Sequence, residues 1–302
     1  MSVAVGLGLM DFPFAGGADY WRWVDLCEQG GVDSLWQTDR LVSKQPILEC
    51  MATMAALAGR TRRMRFGMNV VSLALRDPVL LAKQCATIDV LSEGRLLPAF
   101  GIGSPVGPEW AALDIDTKTR GKRTDESLEI IARLWREDSV DFEGKHYRLR
   151  GASISPQPVQ ADLPMWIGGS SEAAIRRTAR YGTGWQAGGE TPDAAAKVVA
   201  AIKKAVAEAG RSIDDDHYGA SFPFFFGSPA DSAVTGAMAA YTKRTGREAS
   251  RYFAVGDEKT ILERIQQYVV GGVEKFILRP VGSGEEVLFQ TRRLIEKVLP
   301  HI

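Results

Sequence analysis

The sequence predicts an α/β protein folded as a (β/α)8 TIM barrel, with insertions after strand four, helix four and strand seven. Three observations carry that prediction. Eight short apolar runs each lead into a loop holding Gly, Ser, Asp or Asn and then into a stretch of helical spacing. The alternation is sustained over about 250 residues, the usual size of such a barrel. No Pro/Ser/Gly-rich or highly charged linker divides the chain, so residues 1–302 read as a single domain. A doubly wound open sheet is the other arrangement this alternation allows.

The elements follow in order. Residues 3–9, VAVGLGL, are apolar, lack a basic leader and are too short to span a bilayer, so they read as strand one and not as a signal segment. Helix 18–30, strand 34–37, helix 46–58, strand 64–71 and helix 78–91 come next. LSEGR then stops a helix at Gly94 and starts strand 96–101. The stretch GIGSPVGPEWAALDIDTKT is too long for an ordinary strand-to-helix loop and is the first insertion. After helix 120–135, VDFEGKHYRLRGASISPQPVQADLP reads as a strand pair with a proline-rich exit. Strand 165–168, helix 172–181, strand 184–187, helix 191–209 and strand 218–226 resume the rhythm. Residues 227–257 are the third insertion, expected to hold a helix and a mobile loop able to act as a lid. Helix 258–270, strand 275–279 and helix 287–299 close the chain.

Composition narrows the partners. With 37 basic and 37 acidic residues the net charge is +0, which favours neither a nucleic-acid backbone nor an anionic membrane surface; a small-molecule substrate is expected. Cys27, Cys50 and Cys85 are odd in number, far apart and set in apolar helical patterns, as reduced core thiols of a cytoplasmic protein would be. There is no HExxH, no paired-cysteine metal spacing, no GxSxG and no glycosidase-like carboxylate pair, so no metal is expected. His146, His217 and His301 fall in an insertion, an acidic turn and the tail. A cofactor that brings its own chemistry suits such a chain.

The stretch PMWIGGSSEAAIRRTARYGTGW shows where one could sit. Apolar Met165–Trp166–Ile167 runs into Gly168 and Gly169, which remove side chains at the turn; Ser170 and Ser171 can cap the helix that follows. Helix-start amides behind a glycine turn form an anion-binding geometry. A compact strand-to-helix turn alone would use the same residues.

LWQTDR, RDPVLLAKQCATIDVLSEGR, FGIGS, RTDESLEIIARLW, VDFEGKHYRL, SPQPVQADLPMWIGGSS and RYGTGW occur in that order across nearly the whole chain. Together they resemble the bacterial luciferase-like flavin-dependent oxidoreductases, which use reduced FMN or the deazaflavin F420. The resemblance implies that Gly101, Ile102, Gly103 and Ser104, with Gly168, Gly169, Ser170 and Ser171, hold the cofactor phosphate. It places Asp39 and Arg40 beside the isoalloxazine ring, and Asn69–Val70 at a non-prolyl cis peptide that bulges against the ring face. Arg40 is the candidate catalytic residue, a cation able to stabilise negative charge on the reduced ring, unless it merely pairs with Asp39 at the surface. Arg40 replaces the His frequent in deazaflavin members, and Ser104 replaces an acidic residue of the sugar-phosphate dehydrogenases. The second departure disfavours a sugar-phosphate dehydrogenase, and the reading leans toward FMN.

The function expected is oxygenation of a small, largely uncharged organic substrate by reduced FMN and O2, with a separate flavin reductase as supplier. F420-dependent hydride transfer and a non-catalytic flavin-binding protein are the alternatives. Phe12, Phe14, Leu73, Leu75 and the run Phe222, Phe224, Phe226 are expected to wall the substrate slot. The family often forms homodimers, for which ILECMATMAALA, residues 47–58, is the candidate interface.

Overall fold

The structure is a computed structural model and describes residues 3–302. Strand one is Ala4–Leu9, strand two Ser34–Gln37, and strand three Arg65–Met68, which resumes as Val71–Ser72. Pro98 divides strand four into Leu96–Leu97 and Ala99–Gly101. Strands five to eight are Trp166–Gly168, Gly184–Gln186, Tyr218–Phe226 and Lys275–Pro280.

Every neighbouring pair in this sheet is parallel, and the order closes on itself. Leu7 lies opposite Leu278 on one side and Leu35 on the other. The lower halves of strands three and four pair at Phe66–Leu96, and the upper halves at Val71–Phe100. The two breaks open the hydrogen-bonded path without opening the barrel, so the open-sheet alternative does not apply.

The interior is set by strand alternation, which sends successive side chains to opposite faces. Trp36, Leu97, Ala99, Trp166 and Ile277 form an inner cluster, with Val70 packed against it. Glycines make room for the two indoles: a Cβ on Gly67 would overlap the Leu97 carbonyl and the Trp36 ring, and one on Gly184 would lie 2.6 Å from Trp166 Cδ2. At the base, buried Lys275 forms an ion pair with Asp33. The opposite faces carry Val5, Leu7, Phe66, Phe100 and Phe276 into the main core beneath the helices.

Local signals fix the helix ends. Asp77 accepts from the Leu80 amide at 2.9 Å to start Pro78–Leu91, and Asp257 caps Glu258–Val270. Gly94, at φ +83°, ends the LSEGR turn. The second helix begins at Cys50, later than predicted, because the Glu49 side chain caps it by accepting from the Ala52 amide. Insertion two is the antiparallel hairpin Val140–Glu143 with Arg148–Ala152. Insertion three holds helix Ser232–Thr245 and a short parallel strand, Ala254–Gly256, beside strand seven. It packs through Val234, Ala249 and Phe253 onto Phe225 and Val281.

The substrate wall expected from strand seven requires correction. Phe222, Phe224 and Phe226 point away from the barrel axis: Phe222 stacks on Tyr268 at 5.8 Å and 3°, in the layer between sheet and helices. Strand eight decides this, because inward-facing Ile277 pairs with Ser221. Phe12 and Phe14 likewise pack on Tyr20 of helix Gly17–Gln29.

Candidate active site

Following the inward face of each strand to its C-terminal end gives Met10, Thr38, Val70, Gly101, Gly168, Gly188, Pro223 and Arg279 at the barrel mouth. The mouth has two unlike halves. Over strands three to six Val70 projects between three glycines, with Ser72 level with Gly101 and Gln186 level with Gly168. A Cβ on Gly101 would lie 2.7 Å from Val70 Cγ2, and one on Gly168 would lie 3.1 Å from both Val70 methyls. A Cβ on Gly188 would meet nothing closer than 3.9 Å. The Asn69–Val70 peptide is cis. The result is a glycine-lined platform with one small apolar ridge and polar Ser72, Gln186 and Glu190 around it, a shape that suits a flat ring with polar edges.

Both glycine-rich turns lie at this end, beside the platform. After strand five, Gly169 takes φ +102°, its carbonyl accepts from Trp185 Nε1 at 2.8 Å, and Ser171 Oγ caps helix Glu172–Tyr181 through the Ala174 amide. Ser170 and Ser171 are exposed. After strand four, Gly103 takes φ +75° with Trp110 and Ser72 so close that a Cβ would lie 3.0 Å and 3.1 Å from them. Trp110 Nε1 donates to the Ser104 carbonyl at 2.6 Å and folds the loop shut; Ile102 is half-buried and Ser104 exposed. Buried Glu109 and Trp110 start the short helix beyond it. Arg176, Arg177 and Arg180 do not serve the turn, since each is paired with a carboxylate: Glu172, Asp125 and Glu129.

Asp39 and Arg40 part company. The Asp39 side chain is 2% exposed; it accepts from the Ser72 amide at 3.0 Å and from Arg76 Nη2 at 2.6 Å. Arg76 also reaches Glu49 at 3.0 Å. Burial works against the Arg76 charge, but Asp39 and then Glu49 outweigh it and raise its pKa. Asp39 thus pairs with Arg76 and not with Arg40, and ties the end of strand two to the resumed strand three. Arg40 is exposed at the rim.

The other half of the mouth was missed by sequence reasoning. Arg279 Nη1 donates to Met10 Sδ at 2.9 Å, while its buried Nε has no partner. The available signal was the alternation Lys275–Ile277–Arg279, polar residues recurring on one face of an otherwise apolar strand. None of the histidines belongs to the mouth ring; His217 Nδ1 contacts the Thr183 carbonyl at the opposite end. A cavity of about 140 Å³, lined by Trp135, Met165, Thr183 and Arg211, also lies at that opposite end. Arg211 is occupied there, donating to the last carbonyls of helix Glu172–Tyr181.

The family model described as luciferase-like monooxygenase matches residues 15–297. An uncharacterized protein of Mycobacterium tuberculosis (strain ATCC 25618 / H37Rv) is 35% identical over 169 residues, 56% of this chain and 57% of that one. The match thus spans just over half the length of that relative. An F420-dependent glucose-6-phosphate dehydrogenase of Microbacterium testaceum (strain StLB037) is 27% identical over 92% of this chain and 91% of its own. Among solved structures, the monooxygenase RslO1 from Streptomyces bottropensis superposes with a TM-score of 0.84 at 22% identity, covering 99% of both chains. An F420-dependent secondary alcohol dehydrogenase superposes with a TM-score of 0.85 at 17% identity, covering 99% of this chain and 98% of that one. At these identities the two structures speak for the fold.

Proposed function

The chain belongs to the luciferase-like monooxygenase family, and on that premise we propose that it is an oxidoreductase working with a phosphate-bearing flavin or deazaflavin. The observation that carries this reading is the glycine-lined platform of Gly101, Gly168 and Gly188 around Val70, with two glycine turns beside it. When bound and reduced, such a cofactor supplies a hydride or the electrons for oxygen chemistry.

The chain's own residues bind and orient it. Gly101 and Gly168 would leave room for the ring of such a cofactor, and Val70 would support it. Gly169, Ser170 and Ser171, at the positive start of an α-helix, receive the phosphate together with Ile102, Gly103 and Ser104. Asn69 lies at the same ridge, and Asp39 holds that ridge in place through Ser72. Trp110 closes the loop beside the turn and keeps water from the cofactor edge. Arg40, at the rim, offers a cation to negative charge on the reduced ring.

We favour FMN with oxygenation of a small organic substrate, because Arg40 and Ser104 replace residues that deazaflavin members of the family use. A separate flavin reductase then supplies the reduced flavin. The second reading, F420-dependent hydride transfer, draws on the similarity to the glucose-6-phosphate dehydrogenase over 92% of this chain. The whole chain acts as one domain in the cytoplasm, where buried Cys27, Cys50 and Cys85 stay reduced. Among the described residues, no helix is long and apolar enough to cross a membrane. The protein assembles as a homodimer.

Titration with FMN, reduced FMN and F420, followed by oxygen uptake, tests the reading. Binding of FMN with oxygen uptake above that of free reduced flavin supports oxygenation. Tight F420 binding without oxygen uptake supports hydride transfer. Binding of neither contradicts the proposal.

A further inference from the structure

We propose that Arg279 binds an oxyanionic group of the substrate, a carboxylate or a phosphate or sulfonate ester, on a small molecule whose body is otherwise apolar. This rests on the cofactor reading above, which leaves the half of the mouth over strands seven, eight and one to the substrate.

Geometry puts the guanidinium there. Arg279 is two residues beyond Ile277, which packs in the inner cluster, so its side chain leaves the same inward face one layer higher. Met10 stands in the same relation to inward-facing Gly8 on the neighbouring strand, and the two side chains meet at 2.9 Å. Strands eight and one lie across the barrel from strands four and five, whose glycine turns take the phosphate.

Arg279 differs from the other arginines of the mouth in its partners. Arg76 has Asp39 and Glu49, and Arg177 has Asp125. Among the described residues no carboxylate forms an ion pair with Arg279; its contact is a thioether, a weak acceptor. The Nε–H is buried and unpartnered. The titratable groups acting on Arg279 are Arg244 and Tyr241, both from helix Ser232–Thr245. Burial first, and then Arg244, pull its pKa down to about 10, still a cation at neutral pH.

A half-buried cation under the influence of a second cation, with a buried N–H to spare, is stabilised by an anion arriving from solution. A guanidinium presents paired donors matched to carboxylate and phosphate oxygens. Met10, in contact with the guanidinium, supplies apolar surface for the rest of the molecule. The phenylalanines expected to make the slot uncharged face the helices instead.

The test uses protein saturated with FMN or F420 and four probes of one shape: benzoate, phenyl phosphate, benzenesulfonate and uncharged benzamide. Probe binding is read from the spectrum of the bound cofactor and from the melting temperature. At least one oxyanion should bind and raise the melting temperature while benzamide does neither; which anion binds best identifies the group. Arg279→Met should weaken that anion about 30-fold or more, leaving cofactor affinity unchanged, and Arg279→Lys should recover part of the loss. Equal binding of benzamide and the anions, or undiminished anion binding by Arg279→Met, overturns the proposal. So does a loss in Arg279→Met of cofactor affinity, since the residue would then serve the cofactor. If Arg279→Met does not fold, the wild-type probe comparison and Arg279→Lys decide. If no cofactor binds, the functional reading fails, and the same anion titration on the unloaded protein still tests the arginine.

Discussion

Single residues at the mouth divide into those that hold the scaffold and those left available for a ligand. Asp39 belongs to the first group. Asp39→Ala strips Arg76 of its buried partner, leaving only the more exposed Glu49, and should cost about 3–5 kcal/mol in urea unfolding. Exposed Arg40→Ala should change stability by no more than about 0.5 kcal/mol. Sequence could not distinguish these roles, because the Asp39–Arg76 partnership spans 37 positions and neighbouring Arg40 was the simpler partner. Glu28 gives a second test at this scale. Burial acts to raise its pKa, but the amides of Arg63, Arg62 and Met64 outweigh it and set the value below the ordinary one. Its contribution is therefore present above the ordinary carboxylate range and disappears as pH falls through the lowered value. Thermal melts between pH 6 and 3 should fall less steeply for Glu28→Gln than for the parent protein.

Among the elements, legibility followed how locally each was specified. The eight strands were readable because each apolar run is bounded by turn residues, and helices 78–91, 172–181 and 258–270 because Asp77, Ser171 and Asp257 cap them. The break in strand three was not readable from composition, since RFGMNVV is continuous; only the family resemblance placed a bulge at Asn69–Val70, where the peptide is cis. The inward face of strand seven was not readable either: Phe222, Phe224 and Phe226 alternate with Pro223 and Phe225, so both faces are apolar and only pairing with strand eight chooses between them. Arg279 was hidden by the same ambiguity, since only barrel closure tells that its face is the inner one. The glycines yield a paired prediction. Gly67→Ala would overlap the Leu97 carbonyl and should cost about 1–3 kcal/mol, whereas Gly188→Ala has free space and should fold normally. If the platform holds a ring, Gly188→Ala should nevertheless weaken cofactor binding in an equilibrium titration.

For the whole molecule, the barrel places two glycine turns and a glycine platform on one side of a single mouth and, on the other, Arg279, which forms no ion pair among the described residues. Its outer surface bears on assembly. Helix Cys50–Arg60 buries Met51, Met54 and Leu57 and exposes Ala52, Ala55, Ala56 and Gly59, small residues at helical spacing that let a second copy approach closely. Light scattering at micromolar concentration should give a dimer mass, and Ala55→Glu should give a monomer with an unchanged melting profile at low protein concentration. The proposed phosphate site beside the glycine platform can be probed by comparing the affinities of FMN and riboflavin, and of F420 and its phosphate-free deazaflavin core, for the parent protein and for Ser170→Asp. Ser170 is exposed, so the added carboxylate perturbs charge and not packing. The phosphorylated form of the preferred cofactor should bind at least about tenfold tighter, and Ser170→Asp should erase the advantage without weakening the phosphate-free form. Equal binding of the two forms by the parent protein, or an advantage untouched by Ser170→Asp, would contradict the proposed phosphate site.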